Sequence, residues 1–206
     1  MKRHRDVSAA VRACALAAFI LLCGQKSWSQ KSETVTIAEP AVIDVASLFK
    51  QADTVALVKV ISGDAEQYSI AIYKGEVIKS FKGSPAGTSI YFGPYLGERL
   101  GWEYVLFLRN ADKPIAPKTT SASAYGTIQF AEVFNEGYSS MMTSYECVFG
   151  GKAVTEQCAY GVRVCTDYIR IPKSIRTYPP AGDTPGCRWV KKEAFMSLLN
   201  SLSHLK

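Results

Sequence analysis

Apolar positions recur along this chain with two periods, and the period changes where the elements change. Asp44 precedes Val45, Leu48, Phe49 and Ala52, which are spaced i, i+3, i+4, i+7. That spacing puts four apolar side chains on one helical face, and Asp44 is placed to cap the helix N-terminus. The helix is expected to stop near Asp53. From Thr54 to Ser62 the residues are largely β-branched or apolar, which predicts a strand. Tyr68–Phe81 alternates with period two, but Ile70 and Ile72 lie on one parity while Tyr73, Val77 and Phe81 lie on the other. Gly75 sits at the slip, which predicts a β-bulge there. A turn at Lys82-Gly83-Ser84-Pro85 precedes a short strand, Thr88–Phe92. The glycine-rich loop 93–101 then leads to a strand over Trp102–Arg109. Trp102, Tyr104, Leu106 and Leu108 share one face of it, and Glu103, Val105, Phe107 and Arg109 the other. The first set is wholly apolar or aromatic and is expected to point inward, leaving Glu103 at the surface.

Asn110–Ser123 is polar, contains two prolines and reads as a long loop. Further strands are expected at Tyr125–Phe134, Met141–Phe149 and Tyr160–Ile171. A loop carrying Tyr178-Pro179-Pro180 leads to Gly186 and Cys187. A closing helix is expected from about Val190, with Phe195, Leu198, Leu199, Leu202 and Leu205 as its core-facing stripe. Strands do not alternate with helices, which argues against a parallel α/β sheet. The pattern predicts a mainly β fold, a small closed or partly closed antiparallel barrel with a short N-terminal helix and a C-terminal helix. A long bulged strand is how such barrels turn corners.

Composition changes this picture mainly at the N-terminus. Lys2, Arg3, Arg5 and Arg12 precede an apolar run, Ala13–Cys23, and then a polar stretch ending Ser27-Trp28-Ser29. Residues 1–29 read as a secretory signal cleaved before Gln30, giving a periplasmic or secreted protein. The apolar run is shorter than the roughly 20 residues a membrane-spanning helix needs. A lipoprotein reading would use Cys23, but Leu22 stands where a small residue is wanted. Residues 30–40 read as an N-terminal arm and 41–206 as a single domain. The whole chain carries net charge +6, but residues 1–29 hold five of its 24 Lys and Arg and one of its 18 Asp and Glu, so the remainder carries +2. No strong basic footprint for nucleic acid is left.

The remaining cysteines are Cys147, Cys158, Cys165 and Cys187. In an exported chain they suggest two disulfides, with all three connectivities open. Their spacing matches no zinc or haem pattern. The one histidine after residue 29 is His204, which leaves no Ser-His-Asp triad or H-E-x-x-H site within the body of the chain.

The segments Ser47–Asp53, Val55–Val60, Ile78–Gly83 and Gly101–Phe107 together resemble the bacterial secreted proteins related to tissue inhibitors of metalloproteinases. The resemblance covers roughly residues 44–109. It implies the netrin-like module, an oligonucleotide/oligosaccharide-binding (OB) type barrel with flanking helices, in which a helix ending in Ala-Asp feeds the first strand and a long strand ends in a Lys-Gly turn. The animal inhibitors begin with Cys-x-Cys and chelate the protease zinc through the first cysteine. Here no cysteine lies between Gly24 and Glu146, so the resemblance carries over no inhibitory residue.

Other motifs are weaker. Ser47-x-x-Lys50 matches the nucleophile motif of penicillin-recognising enzymes, but its S-D-N and K-T-G companions are absent, and both residues read as polar helix positions. Gly150-Gly151-Lys152 lacks the glycine and hydroxyl residue of a phosphate loop. Glu98 and Glu103 read as structural carboxylates paired with Arg99 or Arg109. Tyr91, Tyr95, Trp102 and Tyr104 cluster in sequence, and barrels of this type bind sugars or single strands through such aromatics; as ordinary core residues, Trp102 and Tyr104 would instead pack inward. The expectation is a non-catalytic module without metal or cofactor. It would dock on an extracytoplasmic protein through loop 93–101 and the adjoining strand edge, with Tyr95, Arg99 and Trp102 as contacts. The alternative is a polysaccharide-binding domain using the aromatic face.

Overall fold

A computed structural model describes residues 41–67, 70–93, 97–112, 131–133, 137–146, 158–179 and 186–205. All belong to the unit Glu39–Lys206. The expected signal and arm, Tyr95, Cys147, most of the loop 110–123 and most of the expected strand 125–134 lie outside the described residues.

The chain enters through a two-residue strand, β1 (Ile43–Asp44), and a helix, α1 (Val45–Gln51). Asp44 caps the helix as its spacing suggested: it accepts from the Ser47 backbone N–H at 2.8 Å and from the Ser47 hydroxyl at 2.7 Å. These bonds to the ionised form hold the Asp44 carboxyl below its ordinary value. Val45, Leu48, Phe49 and Ala52 are all buried. Ser47 thus donates to the capping carboxylate and Lys50 is exposed.

The strands that follow are β2 (Thr54–Gln67), β3 (Ile70–Lys82), β4 (Ser89–Gly93), β5 (Glu103–Asn110) and β6 (Ala131–Val133). β3 pairs antiparallel with both β2 and β4, and β2 with β5. β6 closes the ring by pairing antiparallel with β5 and parallel with β4. The result is a closed five-stranded barrel consistent with the OB type, antiparallel except at that one seam. Its interior holds Ala56, Val58 and Val60 from β2, Ala71, Tyr73 and Val77 from β3, Phe92 from β4, and Tyr104, Leu106 and Leu108 from β5.

The β2–β3 register does slip beside Gly75, but the extra residue there is Ile61 of β2, between the pairs Val60–Gly75 and Ser62–Lys74. Tyr73, Gly75 and Val77 keep one parity into the barrel, and the extra residues on β3 are Ile78, which is exposed, and Phe81. A Cβ on Gly75 would stand 2.2 Å from Val58 Cγ1 and 3.2 Å from Phe92, so glycine is required there by space.

Beyond the ring, β7 (Ser140–Glu146), β8 (Ala159–Cys165) and β10 (Cys187–Lys191) extend the sheet outward from β5. The expected strand 160–171 is two: β8 ends at Cys165, a turn follows, and β9 (Ile169–Arg170) pairs in parallel with β1. The closing helix, α2 (Lys192–Ser203), starts two residues later than expected, because β10 occupies its predicted beginning. Phe195, Met196 and Leu199 are buried, whereas Leu205 lies past the helix end and is 75 % exposed.

A second core fills the space between this sheet and the helices. It takes Val55 and Leu57 from β2, Val105 and Phe107 from β5, Val162 and Val164 from β8, and the stripes of α1 and α2. β5 is therefore buried on both faces, which is why its run reads as almost continuously apolar. No helix among the described residues is long and apolar enough to cross a membrane.

Candidate functional site

Residues 97–101 cross the barrel mouth, and buried groups fasten their backbone. The Glu98 N–H donates to the Tyr73 hydroxyl at 3.3 Å, and the Arg99 N–H donates to the Tyr104 hydroxyl at 2.8 Å. Ser140 Oγ donates to the Glu98 carboxylate at 2.5 Å. Gly101 N donates to Val60 O at 2.8 Å, Val60 N to Trp102 O at 2.9 Å, and Trp102 N to Arg99 O at 3.2 Å. Gly101 has φ 81° and no atom within 4 Å of a Cβ built on it, so its backbone conformation, not crowding, selects glycine. Burial pushes the Tyr104 phenol up to about 12, with the neighbouring Glu98 carboxylate adding to the rise. Tyr73 is raised for the same first reason.

On this fixed backbone stand two exposed side chains, Arg99 and Leu100, the latter 61 % exposed. The Arg99 guanidinium lies 4.8 Å from the centroid of the half-buried Trp102 ring. Two of the three expected contact residues, Arg99 and Trp102, are thus adjacent, and Tyr95 falls outside the described residues. The aromatic cluster does not form one platform. Tyr104 points into the barrel, while Tyr91, between inward-facing Ile90 and Phe92, lies outward beside Lys74.

Glu98 and Glu103 do not form ion pairs with Arg99 and Arg109. Arg109 pairs with Glu132 at 2.8 Å, and Glu103 pairs with Lys192 at 2.7 Å. Glu103 is accordingly half-buried, not a bare surface residue, and its carbonyl accepts from Thr143 Oγ1.

That ion pair marks a surface absent from the sequence reading. Trp102, Glu103, Thr143, Ser144, Tyr160 and Lys192 line a cleft of ≈ 360 Å³. Tyr160 and Lys192 also border a second depression of ≈ 470 Å³ with Tyr145, Lys191, Glu193 and Met196. Tyr145 and Tyr160 are direct partners across β7 and β8, each 60 % exposed, with rings edge-to-face at 5.3 Å. Lys192 Nζ lies 5.5 Å from the Tyr160 centroid. The pairings among β5, β7, β8 and β10, with α2 following β10 directly, assemble these groups from distant segments, although the alternation Thr143–Tyr145 and Tyr160–Val162 was a local hint. Among the described residues no group of three or more His, Cys, Asp or Glu is placed to hold a metal ion.

No family model, curated protein or solved structure matches this chain.

Proposed function

We propose that this chain is an exported, non-catalytic binding module that docks on an extracytoplasmic protein through the barrel-mouth loop, with Arg99 and Leu100 at its tip. The observation that carries this reading is the contrast between the exposed side chains of residues 99–100 and their hydrogen-bonded backbone. A loop held in one conformation before contact loses little entropy on binding, and an exposed leucine beside an arginine offers an apolar anchor with a charged flank. Netrin-like ancestry fits the barrel and its flanking helices. Inhibition by zinc chelation does not belong to the proposal, because the N-terminal cysteine is missing. Export with cleavage near Ser29/Gln30 completes the reading, and N-terminal sequencing of exported protein checks it: Gln30 is expected first.

The docking test places a photo-crosslinking residue at Leu100 and, as a control, at exposed Ile78 on β3. Adducts of discrete mass are expected from position 100 in envelope preparations, lost on adding Arg99→Glu. Equal labelling from both positions would exclude the loop as the docking element.

One observation favours a second reading, polysaccharide binding. The exposed Tyr145–Tyr160 pair stands between two clefts rich in hydroxyl and charged groups. Retention on a polysaccharide matrix that Tyr160→Ala abolishes and Leu100→Asp leaves unchanged would decide for it.

A further inference from the structure

Cys165 ends β8, Cys187 begins β10, and the two are direct partners in the antiparallel register. Their sulfur atoms stand 2.8 Å apart as free thiols, well inside the contact distance of two unbonded sulfurs. Opposed residues in such a pair have Cα atoms ~4.5–5.5 Å apart, within the ~4.4–6.8 Å that a disulfide spans. Cys158 is already disulfide-bonded, so it does not compete for either sulfur. We propose that Cys165 and Cys187 form a disulfide site, and that the bond between them clamps β10 and α2 to the rest of the sheet.

The position explains what the clamp would hold. Residues 166–186 lie between the two cysteines and include β9, the partner of β1. The next residues of β10 carry Trp189, which exchanges two backbone hydrogen bonds of 2.8 Å with Tyr178. α2 follows directly and supplies Phe195 and Leu199 to the second core and Lys192 to Glu103. Among the described residues the sheet continues beyond β10 only as that short bridge, so β10 is held along its length mainly by β8.

The chemistry balances with a disulfide as oxidant, either a small-molecule disulfide or an oxidoreductase in its disulfide form. Arg163 Nη2 donates to Cys187 Sγ at 3.7 Å, so a guanidinium stands beside this sulfur. The Cys187 thiolate attacks one oxidant sulfur, forms a mixed disulfide and expels the other as a thiolate. Cys165 gives its proton to solvent, attacks the Cys187 sulfur and releases the second oxidant sulfur. Two electrons pass from the cysteines to the oxidant, whose two sulfurs take up two protons. In the reduced fold burial, with Cys187 beside it, pushes the Cys165 thiol up to about 12.

The test treats purified protein with oxidised glutathione, alkylates it, digests it without reduction and maps the linked peptides by mass. A Cys165–Cys187 link is expected. A link from either residue to Cys147 or Cys158, or both thiols alkylated after oxidation, overturns the proposal. Thermal unfolding supplies the second measurement. The oxidised double variant Cys165→Ser/Cys187→Ser is expected to melt about 5–12 °C below oxidised wild type. An unchanged melting temperature would show that the bond clamps nothing.

Discussion

The ring β2–β6 and the wing β7–β8–β10 are parts of one sheet that solve the same burial problem differently. The ring closes on itself, so its interior is filled by strand residues alone. The wing is a single layer, and its inner face is covered only because α1 and α2 lie across it. β2 and β5 belong to both: Ala56 and Val58 face the ring, Val55 and Leu57 the helices. Closure supplies pairing on every strand of the ring, whereas the wing depends on helix burial, one ion pair and, on our proposal, a covalent link. The barrel is therefore the fixed support; the mouth loop lies where ring meets wing, with Ser140 of β7 bonded to Glu98, and the tyrosine pair stands on the wing itself.

The largest effects should come from emptying either core. Tyr104→Ala, in the ring, and Phe195→Ala, under the wing, should each cost about 3–5 kcal/mol in denaturant titration. Because β2 and β5 serve both cores, each variant should still unfold in one transition; a separate early transition for Phe195→Ala would break the comparison by showing that the wing melts alone. Gly75→Ala should cost about 1–3 kcal/mol, since the new methyl meets Val58 across the filled ring. Glu103→Gln tests the tie between β5 and α2. Both side chains of that pair are partly exposed, so a loss of about 0.5–1 kcal/mol is expected, weakening with added salt. The smallest effect is alkaline. Tyr104 keeps its proton to about 12 in the folded protein, whereas an unfolded tyrosine loses it near 10. Between those values the native state binds more protons, so stability falls as pH rises. Tyr104→Phe should flatten that slope.

Elements with a local signature were legible from the sequence. α1 was readable because its cap and stripe fit within nine residues, 44–52, and the inward face of β5 because Tyr104, Leu106 and Leu108 alternate strictly. β10 was missed because Cys187–Lys191 is short, has buried Trp189 and Val190 side by side, and runs straight into a helix. β8 and β9 were fused because the turn between them contains neither glycine nor proline. The bulge was misplaced because a parity slip shows that an extra residue exists, while the residue left outside depends on the partner strand. Of the candidate site, the Arg99–Trp102 neighbourhood was readable, since the two are close in sequence. The meeting of Trp102 with Tyr160 and Lys192 was not, because it follows from pairings among β5, β7 and β8 that no short window contains.

The parallel pairing of β1 with β9 has a consequence in time. Ile43 meets Ile169, and the helix that follows β1 packs in a core completed by Phe195 and Leu199. A seven-residue helix has little stability on its own. During synthesis β1 therefore has no strand partner until residues 169–170 have been made, and α1 meets β2 early but Phe195 and Leu199 only at the end; such long-range contacts are slow to form. The core around α1 is thus completed only when residues from both ends of the unit have met.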